Sequence, residues 1–244
     1  MTAAPLVEVH DDADALAHAV AGELVERIRQ AQASGRVPQI CLTGGTIASA
    51  IHRQVAAIAE ESGLDWSAID FWWGDERYVA ADSSDRNEGQ ARAAFLDALA
   101  VPAHRLHPMP AAADGVDVDT AADRFSEHVR EHGAGGFDLL MLGVGPDGHI
   151  ASLFPHHPDA EVGDRIAVGV HDSPKPPPER ISFTFEALAR SRSVWFLVSG
   201  EGKADAVAAA LAEPAPSRVE VPAAGVHGEE ETVWFLDRAA ASRL

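Results

Sequence analysis

The stretch "QICLTGGTIASAIHRQVAAIAEESG", residues 39–63, combines an uncharged run, a Gly-Gly turn and a helical pattern that ends at Gly63. A short, mostly apolar run is typical of a strand that is covered on both faces. Apolar residues at helical spacing continue after the turn, and a closing glycine is a common helix end. The stretch therefore predicts a strand, a tight turn and a helix in succession.

Comparable runs alternate along the rest of the chain. Strand-like or extended segments are expected at 5–9, 69–73, 104–110, 137–144, 165–170, 180–185, 194–200 and 231–237, and helices at 11–35, 90–99, 116–133 and 201–212. Strands that alternate with helices form βαβ units. We therefore expect an α/β fold, with a mostly parallel sheet and helices on both of its faces.

Length and local composition favour a single domain over residues 1–244. A chain of this length fits one large α/β domain or two small ones. The proline-dense segment "HDSPKPPPER", residues 171–180, is short and adjoins strand patterns. We interpret it as a rigid loop rather than a linker between domains.

The formal net charge of -19 restricts the classes of partner. Because the chain has no basic stripe, we expect it to bind neither nucleic acid nor a membrane surface. An anionic small molecule remains compatible with this charge, since salt screens distant charges. Its site must be built from a few nearby cations.

Cysteine usage and the N-terminal sequence favour a cytoplasmic location. Cys41 is the only cysteine, so an internal disulfide is excluded. The N-terminus does not read as a secretory signal, and no stretch has the roughly 18 apolar residues that a membrane span needs. Nothing in the sequence requires an oligomer, and we expect a monomer.

Four predicted turns follow strands, and in open parallel sheets ligands bind outside the carboxyl ends of the strands. In the first turn Gly44, Gly45 and Thr46 precede a helix, where exposed backbone N–H groups can hold a phosphate. The alternative is a tight connection with a threonine cap. The glycine spacing matches neither a P-loop nor a dinucleotide-binding motif.

Two further turns contribute cations. Arg77, in "WWGDERYV" (72–79), can clamp an anionic oxygen or hold a catalytic carboxylate, although a solvated loop with internal ion pairs is the alternative. Lys203, in "VSGEGKADA" (198–206), starts a predicted helix. A cation there is unfavourable unless an anion lies between it and the helix, so we assign Lys203 to a phosphate held at Gly44–Thr46 rather than to solvent.

The remaining turn, "GVGPDGHIASLFP" (143–155), places Asp147 and His149 two residues apart. Histidine titrates near neutrality and can accept a proton from water as a general base. Asp147 can fix the tautomer of the imidazole or act as a second proton carrier. Alternatively, Asp147 caps a short helix near His149 and the histidine is a bystander. We expect no metal site at His156 and His157, because adjacent side chains diverge.

A covalent mechanism is not favoured by the sequence. There is no G-x-S-x-G motif, and Cys41 lies inside an apolar strand pattern. The four turns together predict hydrolysis or proton transfer without an acyl-enzyme.

Six segments carry a resemblance to a known family. They are "LTGGTIA", "DFWWGDERYV", "SDRNEGQAR", "FDLLMLGVGPDGHIASLFP", "SPKPPPERISFTF" and "VWFLVSGEGKADAV". In this order they resemble the glucosamine-6-phosphate isomerase/6-phosphogluconolactonase family, and within it the lactonases, from about residue 7 to about residue 237.

The resemblance implies a Rossmann-like fold and hydrolysis of 6-phospho-D-glucono-1,5-lactone without a metal or an organic cofactor. It places the general base on His149, the neighbouring acid on Asp147 and the arginine of the GDER segment on Arg77. Asn87 is expected to bind substrate, while Lys175 and Arg180 are expected at the rim without an assigned role.

Two alternatives remain at the level of the sequence. The related deaminases carry a glutamate shortly after the DGH motif, where this chain has Phe154, which disfavours deamination and isomerisation because a phenyl ring cannot transfer a proton. A non-catalytic sugar-phosphate sensor is the other alternative, and it would need no histidine base.

Overall fold

The structure is a computed structural model that describes residues 4–244. The strands are β1 (Leu6–His10), β2 (Gln39–Leu42), β3 (Asp70–Trp73), β4 (Asp75–Arg77), β5 (Leu106–His107), β6 (Phe137–Gly143), β7 (Ala167–Val170), β8 (Arg180–Phe183), β9 (Ser191–Val198) and β10 (Glu231–Asp237). The helices are α1 (Ala13–Ala33), α2 (Thr46–Ser62), α3 (Asn87–Ala91), α4 (Val118–His132), α5 (Phe185–Leu188) and α6 (Ala204–Ala210). None of the described helices is long and apolar enough to cross a membrane.

Across the described residues, seven strands form one sheet in the order β1-β10-β9-β6-β2-β3-β5, and each neighbouring pair is parallel. Side chains alternate between its faces, so Trp73 belongs to the buried cluster that includes α1 and α2, while Trp72 belongs to the cluster on the opposite face that includes α4 and α6. The predicted parallel α/β fold with helices on both faces is confirmed.

A second sheet contains β4, β8 and β7 in antiparallel pairing. The strands predicted at 165–170 and 180–185 therefore lie outside the parallel sheet, and β4 lies in a segment expected to be a loop. The connection from β7 to β8 is too short for the helical crossover that parallel neighbours need. The backbone N–H of Phe183 donates to the carbonyl of Gly74 at 3.0 Å, which joins this sheet to the end of β3.

The helix expected at 90–99 begins earlier than predicted. It starts at Asn87 and continues as a π-helical turn from Arg92 to Leu96. The cause is a distant cap: the Glu76 carboxylate accepts the backbone N–H groups of Asn87 and Glu88 at 2.7 and 2.9 Å. Sequence patterns within a helix cannot reveal such a cap.

Four neighbouring strands bring the predicted turns to one edge of the sheet. Their last residues are Trp73 of β3, Leu42 of β2, Gly143 of β6 and Val198 of β9, and these strands are adjacent and parallel. The turns that follow them therefore lie side by side.

A histidine cluster packs beside β3. The ring of His107 stacks on Trp72 with centroids 4.0 Å apart, and its Nδ1 lies 3.0 Å from Nε2 of His128. Burial lowers the pKa of His107 against the opposing hydrogen bond of Asp70. Burial and the neighbouring histidines also lower the pKa of His128.

Candidate active site

A cavity of about 630 Å³ opens where the four turns meet. The predicted site residues that line it are Gly44, Gly45, Thr46, Arg77, Asn87, His149 and Lys203. Asp147 joins the site through its contact with His149. The structure therefore brings together residues from segments more than 150 positions apart in the chain.

Asp147 and His149 form a hydrogen-bonded pair. Oδ1 of Asp147 lies 2.5 Å from Nδ1 of His149. A carboxylate can only accept a hydrogen bond, so Nδ1 carries the hydrogen and a neutral ring keeps its lone pair on Nε2. Within residues 4–244 Nε2 has no hydrogen-bond partner, and it is not buried. This nitrogen is therefore available to accept a proton in the cavity.

The carboxyl group of Asp147 stays ionised over a wide pH range. Burial raises its pKa, but the hydrogen bond and charge of His149 and the charge of Lys175 outweigh burial and lower the pKa to about 2. An ionised Asp147 stabilises the imidazolium that forms when Nε2 takes up a proton.

The turn that carries this pair depends on glycine. A Cβ at position 145 would overlap Nδ1 of His149 and Oδ1 of Asp147, and Gly148 has φ +82°. Residues 147–153 form turns and short β-bridges rather than a helix, so the alternative in which Asp147 caps a helix at His149 does not describe this segment.

Phe154 packs against the imidazole ring of His149. The ring centroids of Phe154 and His149 lie 4.6 Å apart, and Phe154 is fully buried. The guanidinium of Arg180 lies 5.8 Å from the Phe154 ring centroid. Phe154, which stands where the sequence comparison with deaminases expects a glutamate, therefore packs as an apolar side chain against the histidine.

The Gly44–Thr46 turn forms the start of α2. Gly45 has φ +101°, a conformation that favours glycine, and Thr46 is the first helical residue. The side chain of Asn87 lies directly against Gly44, since a Cβ there would overlap its carboxamide. Asn87 is buried, and its Nδ2 donates to the carbonyl of Asp75 at 3.0 Å. Asn87 thus supports the turn as well as lining the cavity.

Both lysines of the chain line the cavity. Nζ of Lys203 donates to the carbonyl of Val144 at 2.6 Å, and Nζ of Lys175 lies 3.5 Å from Nδ1 of His149. Burial and the charge of Lys175 lower the pKa of Lys203, while Asp147 opposes them. These two ammonium groups supply the local cations that an anion needs in so acidic a protein.

Two residues of the GDER segment hold neighbouring segments in place, and a third lines the cavity. Glu76 is buried and accepts the backbone N–H groups of Arg77, Asn87 and Glu88, while Asp75 accepts the hydroxyl of Ser152 at 2.6 Å. Arg77 lines the cavity, and its Nε is buried without a partner among the described residues.

Arg77 does not hold Asp147. Its side chain donates to the carbonyl of Asp85 at 2.5 Å, and no hydrogen bond or ion pair links it to Asp147 in the part of the chain that the structure describes. The cation nearest the pair is Lys175, which sequence analysis left without a role.

Sequence analysis also missed Asp14 and Arg53, which line the cavity. Arg53 lies seven residues after Thr46, on the same face of α2, and this spacing is the signal that could have indicated it. Asp14 comes from the first turn of α1 and has no comparable signal.

Comparison with known proteins decides the family. The profile described as glucosamine-6-phosphate isomerases/6-phosphogluconolactonase matches residues 11–234. The chain belongs to this family. The 6-phosphogluconolactonase of Mycobacterium bovis is 46% identical over 246 residues, covering 98% of each chain. The 6-phosphogluconolactonase of Streptomyces coelicolor is 42% identical over 254 residues, covering 100% of this chain and 96% of the relative.

Solved structures agree with this membership of the glucosamine-6-phosphate isomerase/6-phosphogluconolactonase family. The crystal structure of 6-phosphogluconolactonase from Thermotoga maritima matches with a TM-score of 0.83 at 26% identity, over 96% of this chain and 99% of the other. A monomeric glucosamine-6-phosphate deaminase matches with a TM-score of 0.83 at 21% identity, over 98% of this chain and 100% of the other, which shows a shared fold. The predicted Rossmann-like fold of this family is confirmed.

Proposed function

We propose that the chain hydrolyses 6-phospho-D-glucono-1,5-lactone to 6-phosphogluconate, the lactonase step of the oxidative pentose phosphate pathway. The relatives named 6-phosphogluconolactonase support this choice of substrate. The observation that carries the chemistry is the imidazole of His149, whose Nδ1 is fixed by Asp147 while Nε2 is free in the cavity. We infer that residues 1–244 act as one domain, because β1 near the start of the chain pairs with β10 near its end in a single sheet, and we propose that this domain acts as a monomer.

The phosphate of the substrate binds at the start of α2. Backbone N–H groups at a helix N-terminus and the ammonium of Lys203 are matched to a dianion. Binding at this remote group fixes the lactone ring, and the binding energy is used to orient the reacting carbon.

Hydrolysis then needs one proton transfer in each direction. Nε2 of His149 takes a proton from a water that attacks C1, and a tetrahedral oxyanion forms. Asp147 stabilises the imidazolium, which returns the proton to the ring oxygen as the bond between C1 and that oxygen breaks. General acid–base catalysis of this kind contributes about 10²–10⁴-fold. No covalent intermediate is required.

Arg77 is the proposed donor to the developing oxyanion. Arg77 lines the cavity, and among residues 4–244 its guanidinium has no carboxylate partner and donates only to the carbonyl of Asp85, so it retains hydrogen-bonding capacity. Donors that are already in place stabilise charge in the transition state without reorganisation. Arg77 is assigned to the oxyanion rather than to Asp147.

Deamination and a purely sensory role are less consistent with this site. Phe154 is buried against His149 and has no proton to transfer. A sensor would need the cations but not an oriented imidazole with a free Nε2.

Acid release from the phosphorylated lactone tests the proposal. Turnover above the spontaneous hydrolysis rate is expected for the native chain, and His149→Ala should lose most of kcat with substrate affinity nearly intact. His171→Ala, which removes an exposed histidine paired with Asp119, is the matched control. Binding without hydrolysis would favour a sensor, and ammonia release from glucosamine 6-phosphate would favour a deaminase.

A further inference from the structure

The distribution of lysine in this chain is extreme. Of its 19 basic residues only Lys175 and Lys203 are lysines, and both line the catalytic cavity. Every lysine side chain that an amine-selective reagent can modify therefore lies in this cavity. Each lysine is partly buried, and the cavity is open to solvent, so a small reagent can reach both.

The two ammonium groups differ in their partners. Nζ of Lys203 donates a short hydrogen bond to a backbone carbonyl at 2.6 Å. Nζ of Lys175 has only the long contact with His149 at 3.5 Å, and no carboxylate lies within 4.0 Å of it in the described chain. The amine of Lys203 is therefore held by a short hydrogen bond, whereas the amine of Lys175 is not and is the more available for attack.

Burial is the main influence on the charge of Lys175. It lowers the pKa of Lys175, the charge of Asp147 opposes it, and Arg180 adds a smaller lowering effect. Only the neutral amine is a nucleophile, so a lowered pKa raises the reactive fraction near neutral pH.

We propose that Lys175 is a covalent acylation site for acyl phosphates, and that acylation there inactivates the cavity. An acyl phosphate combines an activated acyl group with a phosphate. The helix start at Gly44–Thr46 and the ammonium of Lys203 attract that phosphate. The cavity of about 630 Å³ accommodates a donor of this size together with the lysine side chain.

The reaction needs no further component. The ε-nitrogen of neutral Lys175 attacks the acyl carbon, a carbon–nitrogen bond forms and the carbon–oxygen bond to phosphate breaks. Inorganic phosphate leaves with the electron pair of that bond, and the proton from nitrogen passes to solvent. The product is a neutral amide.

The amide has two consequences for the site. It removes the positive charge that contributes to the lowered pKa of Asp147. It also adds an acyl group beside the imidazole, where the proposed water and lactone must fit. The predicted loss of activity and the predicted competition by phosphate rest on the proposed function, whereas the reaction of the Lys175 amine with an activated acyl group does not.

Acetyl phosphate is the probe for a direct test. The purified chain is incubated with it near neutral pH, and intact mass and peptide mapping follow acetylation at each lysine. Lys175 is expected to be acetylated ahead of Lys203, with remaining lactonase activity equal to the fraction of chains unmodified at Lys175. Added inorganic phosphate should slow this acetylation by competing for the phosphate position.

Two controls separate the possible failures. Lys175→Arg keeps the charge but cannot be acylated under these conditions, so its activity relative to its own untreated sample should survive acetyl phosphate as long as Lys203 is unmodified. Acetylation of Lys203 first, or of neither lysine, overturns the proposal, as does full acetylation of Lys175 with undiminished activity. If the untreated chain has no lactonase activity, the proposed function fails while the mass measurement still decides the acylation site.

Discussion

Gly145→Ala should disable the site without altering any group that takes part in the reaction. The new methyl group would overlap both Nδ1 of His149 and Oδ1 of Asp147. The new Cβ would lie 1.9 Å from Nδ1, so reaching even the 3.0 Å limit requires the imidazole to move by more than about 1 Å, and a misplacement of about 1 Å can lower the rate about 10²-fold. This loss corresponds to about 2.7 kcal/mol in the activation free energy. Because the phosphate position is untouched, KM should change little.

Steady-state kinetics on the phosphorylated lactone would measure this effect. Gly22→Ala is the matched control, since Gly22 lies in α1 with no atom within 4 Å of its added Cβ. In a His149→Ala background, Gly145→Ala should cost no further activity, because the imidazole that it displaces is already absent. If folded Gly145→Ala kept kcat within a few-fold of the native value, the oriented pair would not be the source of the rate.

Three further outcomes are expected. Lys203→Ala should raise KM for the phosphorylated lactone but not for unphosphorylated gluconolactone, and equal changes in both KM values would contradict its assignment to the phosphate. The pKa values of His107 and His128 are lowered in the folded protein, so below the ordinary histidine value of about 6.5 the unfolded chain binds protons more readily and stability falls with pH. His128→Gln removes one of these groups and should therefore reduce the loss of thermal stability between about pH 7 and pH 5. Melting curves with an unchanged pH slope would refute this. Phe154→Ala should lower the free energy of unfolding by about 3–5 kcal/mol, and a urea titration that gives less than about 1 kcal/mol would show that its packing is dispensable.

The parts of the site that could be located from sequence are those contained in one short segment. Gly44–Thr46 and Asp147–His149 each combine a strand end, a glycine-rich turn and reactive side chains within a few residues. The parallel arrangement of the strands then determines that such turns meet at one edge. Fold class and the location of the cavity follow from the same local patterns.

The parts that could not be predicted depend on contacts between distant segments. Hydrogen bonds from the backbone to Glu76 set the start of α3, and pairing with β8 makes β4 a strand. The position of Lys175 beside His149 depends on how the proline-rich loop folds back over the cavity, and no periodicity records that path. The sequence leaves two possible partners for Arg77, an anionic oxygen or a catalytic carboxylate, because its sequence neighbours do not reveal which one it faces.

The three backbone hydrogen bonds to Glu76 connect two walls of the cavity. This carboxylate accepts N–H groups from Arg77 on one wall and from Asn87, which supports Gly44, on the other. Its oxygens are turned toward the main chain, and the residue is buried. A survey of inactivating substitutions would therefore find that replacing Glu76 abolishes activity as often as replacing His149 does, although Glu76 does not line the cavity.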